Sequence, residues 1–159
     1  MKTTGESGAG RIGAMTQELL ALRYELEAFT IDFWHEVDIQ GGGRAAACYL
    51  DDGVFATSVR EYRGRAELDA FYARRRHWEP RVSIHVVSNF RIDAVDAGAA
   101  RCGYILGLFA ADGEPVLPSG PPVMLGTVEE VLVRQQDGSW RYASRRVLPL
   151  FRDGTPTRG

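Results

Sequence analysis

The sequence of 159 residues lacks the features that mark several large classes of protein. Its only cysteines, Cys48 and Cys102, lie in apolar segments. This argues against a disulfide scaffold, and the count alone excludes a cysteine-rich zinc site. No apolar run approaches the roughly 20 residues that a membrane-spanning helix needs. Residues 1–13 also lack the apolar stretch of a signal peptide, so we expect a cytoplasmic protein with no membrane partner.

Lysine is almost absent, because Lys2 and 18 arginines supply all the basic charge against 21 acidic residues. The net charge is −2, and carboxylates are interspersed with the arginines. Nucleic-acid-binding domains are usually net basic with a patch of one sign, so we expect no nucleic-acid partner. The glycines at 41–43 lack the Lys-Ser/Thr of a phosphate loop, and no G-x-S-x-G nucleophile motif occurs.

Length and a hydrophobic content of 45% predict one domain with its own core. We place this domain at residues 14–150, with a flexible leader at 1–13 and a flexible tail at 151–159. Apolar residues at helical spacing predict a long helix from Met15 to about Ile39, capped at Thr16. Further helices are expected at 44–50 and 65–77.

The second half of the chain predicts β-structure. Long strands are expected at 81–95, 99–111, 123–136 and 139–150, after two short ones at 54–59 and 61–63. Turn signals at 96–98 and 137–138 make the long strands antiparallel hairpins. Helices followed by antiparallel strands indicate an α+β fold. Strands of about 12 residues suggest a strongly bent sheet that encloses a concave space for a small molecule.

Four motifs in this order resemble the nuclear transport factor two-like superfamily, within it the SnoaL-like polyketide cyclase and scytalone dehydratase-like group. They are an Asp that ends the first helix, Asp38, and the runs YLDDGVF at 49–55, YRGRAEL at 62–68 and IHVVSN at 84–89. The resemblance implies a cone-shaped, bent antiparallel sheet wrapped around three N-terminal helices and enclosing a pocket. Ile84 departs from the group, which usually has Arg before the strand His.

The same resemblance implies that Asp38 and His85 are catalytic. A His can exchange a proton near neutral pH, and a carboxylate partner fixes its tautomer and stabilises its charged form. Such a pair can remove a proton next to a carbonyl or protonate a leaving hydroxyl, with no metal and no organic cofactor. The implied function is a lyase or isomerase: dehydration, isomerisation or cyclisation of a hydrophobic polyketide-, terpenoid- or steroid-like molecule.

Seven further residues are candidates for substrate binding, with core packing as the alternative for most of them. Tyr104 can offer a phenol to a substrate carbonyl, and Asn89 shares a strand face with His85. The remaining candidates are aromatic or large apolar side chains: Trp34, Tyr49, Phe55, Tyr72 and Met124. His35 is expected at the surface or in an interface.

Strand alternation sets Ile84 and Val86 opposite His85, so both sheet faces need to be covered. We expect the pocket on the His85 side and a second copy of the chain, forming a homodimer, on the other side. Glu129 and Glu130 point to opposite strand faces, so one of them can enter the pocket. The same holds for Arg145 and Arg146, and an inward Arg can pair with an inward Glu. The sequence does not show which.

Two other functions remain open from the sequence. One is a non-catalytic small-molecule-binding module with the same pocket but no poised acid–base pair. The other is an assembly partner similar to the β subunit of ring-hydroxylating dioxygenases, which resembles this fold.

Overall fold

A computed structural model of the protein describes residues 16–77 and 80–155. Its regular elements are two α-helices, one 3-10 helix and six strands in an α+β arrangement. The helices are α1 (Gln17–Asp38), a 3-10 turn (Ala45–Cys48) and α2 (Gly64–Arg76). The strands are β1 (Tyr49–Ala56), β2 (Glu61–Arg63), β3 (Arg81–Asp96), β4 (Ala99–Asp112), β5 (Met124–Arg134) and β6 (Trp140–Arg152).

Helix α1 begins and ends where the sequence predicts. The Thr16 hydroxyl accepts a hydrogen bond from the Leu19 N–H at 3.2 Å and so satisfies one free donor of the first turn. The helix ends at Asp38, and Gly41 and Gly42 then adopt positive φ angles of 77° and 72°. This ending places Asp38 in the last turn, beside the sheet.

The expected second α-helix is wrong. Residues 45–48 form only one 3-10 turn, and Tyr49 and Leu50 already belong to β1. Tyr49 pairs with Tyr142 of β6, so strand pairing overrides the helix preference of the alanines before it. The sheet therefore packs against two α-helices instead of three.

The six strands form one curved, unclosed sheet in the order β2-β1-β6-β5-β4-β3. All neighbouring strands are antiparallel except β1 and β6, which run parallel. The expectation of a purely antiparallel sheet is therefore wrong for this pair. Strand β6 continues through Arg152, two residues into the segment expected to be a tail. The expected leader at 1–13 and residues 156–159 lie outside the described residues.

An irregularity at Asn89 reverses the alternation of β3. Asn89 has a φ of 55°, and the register with β4 shifts between Ser88 and Arg91. Before the shift, His85 points toward α1, whereas Ile84 and Val86 lie on the outer face with 37% and 47% exposure. Past the shift, Phe90 returns to the core. Strict alternation along β3 would set Phe90 on the outer face with Ile84, and the irregularity overturns that expectation.

No helix within the described ranges is long and apolar enough to cross a membrane. Both cysteines are free thiols: Cys102 is buried and Cys48 is half-buried. Burial raises the pKa of Cys102 to about 12, so this thiol stays protonated at neutral pH.

Candidate functional site

The end of α1 and the middle of β3 bring Asp38 and His85 into direct contact. His85 Nδ1 lies 2.7 Å from Asp38 Oδ1, and the backbone N–H of His85 donates to Asp38 Oδ2, also at 2.7 Å. The two side chains are only 7% and 4% exposed. Both carboxylate oxygens are thus engaged by one residue, which fixes the position of the imidazole relative to the helix.

The surroundings of His85 favour its neutral form. Burial lowers the pKa of His85 below its ordinary value, and the charges of Arg75 and Arg145 act in the same direction, whereas Asp38 opposes them. A neutral imidazole carries its proton on Nδ1 when that atom faces a carboxylate. The Nε2 atom then keeps its lone pair and can accept a proton from a bound molecule.

Trp34 covers one face of the imidazole. The two rings stack with centroids 3.8 Å apart and planes inclined by 17°. The Trp34 indole N–H donates to the Tyr104 hydroxyl at 3.1 Å, so the indole is held in place from the core side. Trp34 therefore fixes the plane of His85, which Asp38 alone leaves free to tilt.

Behind Trp34 lies a buried ion pair between Glu130 and Arg145. Arg145 Nε lies 2.9 Å from Glu130 Oε1, and both side chains are fully enclosed. The Tyr104 hydroxyl donates to Glu130 at 2.8 Å and accepts from Arg145 Nη2 at 2.7 Å. Thr30 donates to the second Glu130 oxygen at 3.2 Å. The predicted pairing of an inward Glu with an inward Arg is confirmed, and the structure identifies the members as Glu130 and Arg145.

The guanidinium of Arg145 is also covered by aromatic rings. Its central carbon lies 4.0 Å from the Phe33 ring centre and 4.2 Å from that of Trp34. Arg145 Nη1 has no hydrogen-bond partner among the described residues. The cation is thus held by ring faces and by Glu130, and Trp34 lies in contact with both Arg145 and His85.

A cavity of about 100 Å³ opens beside His85 between α1, α2 and the inner sheet face. Its wall is largely apolar, and its polar and charged lining residues are His85, Thr57, Arg75 and Arg152. The apolar and aromatic lining comprises Trp34, Val37, Phe55, Val59, Phe71, Tyr72, Leu106, Leu108, Met124, Val147 and Pro149. This space is comparable to the roughly 150 Å³ engineered cavity that holds benzene, so it suits about one ring.

The candidate residues from the sequence divide into two groups. Those that line the cavity are His85, Trp34, Phe55, Tyr72 and Met124, and Asp38 lies against His85. Tyr49 does not line it: its side chain is fully buried in the core, 3.4 Å from the Tyr72 hydroxyl. Tyr104 does not line it either, because its hydroxyl is committed to Trp34, Glu130 and Arg145.

Asn89 is also absent from the cavity wall, contrary to expectation. The residue is exposed and adopts a left-handed backbone conformation at the β3 irregularity. The prediction failed because it assumed strict alternation along β3. An Asn that follows Ser88 in a largely apolar strand gives only a weak signal for such a break.

Sequence reasoning missed Arg75 and Arg152, the two cations of the cavity wall. Arg75 belongs to the run Arg74-Arg75-Arg76 at the end of α2, which suggests only a favourable interaction with the helix dipole. Helical spacing could have distinguished Arg75 from its two arginine neighbours. Arg75 lies three residues after Tyr72 and four after Phe71, which are both on the buried face of α2.

Within residues 16–77 and 80–155, no three His, Cys, Asp or Glu side chains are grouped as metal ligands.

Comparison with known families decides the membership of the chain. The SnoaL-like domain matches residues 18–146, which is most of the sequence. This chain belongs to the SnoaL-like domain family. The nuclear transport factor two-like, SnoaL and scytalone dehydratase group expected from the sequence is thereby confirmed.

Solved structures agree with this SnoaL-like assignment. ActVI-ORFA from Streptomyces coelicolor has a TM-score of 0.70 and 21% identity, covering 82% of this chain and 98% of its own. A Catenulispora acidiphila protein in complex with S-DNPA has a TM-score of 0.69 and 25% identity, covering 82% and 94%. A candidate scytalone dehydratase from Novosphingobium aromaticivorans has a TM-score of 0.72 and 18% identity, covering 86% and 89%. No curated protein matches the sequence.

These likenesses establish a nuclear transport factor two-like fold of the kind that binds small molecules. They do not define a reaction, because one fold hosts many activities. The assignment of chemistry to this SnoaL-like chain rests on its own residues.

Proposed function

We propose that this SnoaL-like protein is a cofactor-independent acid–base enzyme that acts on a small hydrophobic carbonyl compound. The observation that carries the proposal is the Asp38–His85 pair beside a largely apolar cavity. Asp38 holds the Nδ1 proton of His85, which leaves Nε2 as the base toward the cavity.

In the proposed first step, His85 Nε2 removes a proton from the carbon next to a substrate carbonyl. The C–H bond breaks, its electron pair moves to form the enolate, and the proton becomes bound to Nε2. The resulting imidazolium is stabilised by the Asp38 carboxylate, 2.7 Å from Nδ1. Because the resting pKa of His85 is lowered, the proton is readily passed on.

The fate of that proton distinguishes three reactions. Its return to another carbon gives isomerisation, and its delivery to a leaving hydroxyl gives water and a new double bond. Attack of the enolate carbon on a second carbonyl gives cyclisation, with the proton going to the new alkoxide. A polyketide-, terpenoid- or steroid-like substrate meets these requirements. With space for about one ring, the cavity holds the reacting ring, and the rest extends through the opening.

The proton-removal step is common to all three reactions and can be tested before the substrate is known. We expect the protein to accelerate deuterium incorporation next to the carbonyl of 2-tetralone in D2O, followed by proton NMR. His85→Gln should slow this exchange by about 100-fold or more, in line with general base catalysis. His35→Gln, which alters an exposed histidine on α1, is the control.

Binding of the ketone without enhanced exchange would favour the non-catalytic binding module instead. Unchanged exchange in the His85→Gln variant would refute the role of His85.

A further inference from the structure

Among the residues that the structure describes, Arg75 places a positive charge in the cavity wall with no ion-paired carboxylate, although the charge of Asp38 acts on it from farther away. The residue is half-buried near the end of α2, and its pKa is lowered by burial. Its one hydrogen bond among the described residues runs from Nη2 to Ser83 Oγ at 3.5 Å, the long limit for such a contact. No described carboxylate lies within the 4.0 Å distance of an ion pair.

Other arginines of the described chain show how an enclosed guanidinium is normally compensated. Arg145 is paired with Glu130 at 2.9 Å, and Arg81, whose side chain is 11% exposed, is paired with Asp112 at 2.6 Å. An enclosed charge without such a partner is costly. Arg75 therefore differs from these arginines in having no ion-pair partner among the described residues. It lies in the cavity wall, where a bound ligand could supply the missing partner.

The charges around the cavity sum to a small positive excess. Arg75 and Arg152 each contribute one positive charge, and Asp38 behind His85 contributes one negative charge. With His85 neutral, the sum is about +1. Glu130 and Arg145 cancel each other. A ligand with one negative charge would leave the occupied site neutral. Because Arg152 is exposed and screened by solvent, the cation that such a ligand would meet inside the cavity is Arg75.

We propose that the ligand of this cavity is a monoanion: a cyclic carbonyl compound bearing a carboxylate, with its ring on the apolar wall and its carboxylate on Arg75. A guanidinium and a carboxylate form paired, charge-assisted hydrogen bonds that a neutral ester or amide cannot reproduce. This inference rests on the proposed function for the choice of site and narrows the expected hydrophobic substrate to an acidic one. Arg152, exposed at the end of β6, adds long-range attraction at the cavity opening.

The test compares phenylacetate with phenylacetamide, which share size and ring but differ in charge, by NMR titration of the full-length protein. We expect the wild type to bind phenylacetate about tenfold more tightly or better. Arg75→Gln should remove this preference and Arg75→Lys should retain part of it. Arg74→Gln, on the exposed neighbour in the same helix, should leave it unchanged. Thermal unfolding of each variant verifies that it is folded.

Equal affinity of the two compounds for the wild type, or no detectable binding of phenylacetate, would overturn the proposal. A preference that persists in Arg75→Gln would overturn it too. If Arg75 only stabilised a transient enolate, the two compounds would bind equally and only turnover would fall, which also contradicts the inference. Since binding needs no turnover, repeating the titration with His85→Gln separates this outcome from failure of the acid–base proposal.

Discussion

His85 uses two of its own N–H groups to engage both oxygens of the Asp38 carboxylate, each at 2.7 Å. One bond comes from the strand backbone and the other from the imidazole. The backbone bond fixes the carboxylate to β3, and the ring bond then fixes the tautomer. The pair is thus oriented by secondary structure on both sides, α1 for Asp38 and β3 for His85.

The pH dependence of the reaction follows from this environment. Burial, Arg75 and Arg145 lower the pKa of His85, against the opposing effect of Asp38. A base with a lowered pKa stays active to lower pH, so kcat/KM should fall on the acid side with a midpoint below about 6.5. The pH profile of kcat/KM, together with NMR titration of the His85 ring protons, checks this. A midpoint above 6.5 would contradict it.

The same shift makes a prediction about stability. Because the folded-state pKa of His85 is below its unfolded value, the unfolded chain binds the proton more readily. The free energy of unfolding should therefore fall as the pH drops from about 6.5 toward the folded pKa. Urea denaturation at several pH values measures this loss. The loss should be smaller in His85→Gln, and an identical pH dependence in the variant would argue against the shift.

The Glu130–Arg145 pair should be essential to the core. Glu130→Gln leaves Arg145 enclosed without its counter-charge, and we expect a loss of about 3–5 kcal/mol in the free energy of unfolding. Urea denaturation measures the loss, with Glu129→Gln as the control on the exposed neighbour. The double variant Glu130→Leu/Arg145→Met should be less destabilised than Glu130→Gln, because no buried charge remains. A cost below about 1 kcal/mol for Glu130→Gln would contradict this interpretation.

Gly126 in β5 is required by the close approach of β6. A Cβ atom there would lie 2.5 Å from the Leu148 carbonyl oxygen and 3.0 Å from Pro149 Cα. Since backbone atoms cannot move aside without distorting the sheet, Gly126→Ala should cost about 1–3 kcal/mol in urea denaturation. Gly43→Ala, where nothing lies within 4 Å, is the control and should be almost neutral. Equal stability of the two variants would be the contrary result.

Sequence patterns predicted most of the fold. The stripe of α1 and its cap at Thr16, the position of α2 and the four long strands were all visible, because each follows from local periodicity and turn chemistry. The short helix before β1 and the direction of the β1–β6 pair were not predicted correctly. Both depend on the pairing of Tyr49 with Tyr142, a contact between residues far apart in the sequence.

The candidate site was predictable only in part. The family resemblance identifies Asp38 and His85 as candidates. Their direct contact depends on how the end of α1 packs against β3, which the sequence does not show. Tyr104 is a substrate-binding candidate from the sequence, because a sequence does not show which hydrogen-bond partners a buried phenol has. Strict alternation predicts Asn89 in the cavity wall, but its positive φ of 55° breaks the alternation at this residue. Arg75 was overlooked because its two arginine neighbours suggested a solvated helix end.

The outer sheet face exposes apolar side chains that a second copy of the chain could cover: Ile84, Val86 and Phe109. We therefore still predict a homodimer. Light scattering should give twice the mass of a 17.6 kDa chain. Ile84→Glu together with Val86→Glu should shift the protein toward the monomer. A clean monomer in the wild type would contradict the expected partner on this face.

The central claim is that Asp38 and His85 act as a pair, and Asp38→Asn tests it most directly. The amide can no longer stabilise the imidazolium or impose the same tautomer. We predict that the rate of deuterium exchange next to the carbonyl of 2-tetralone falls by about 100-fold or more. Asp32→Asn, on an exposed position of the same helix, should retain the wild-type rate. Equal exchange rates in wild type and Asp38→Asn, with the variant folded, would contradict the account.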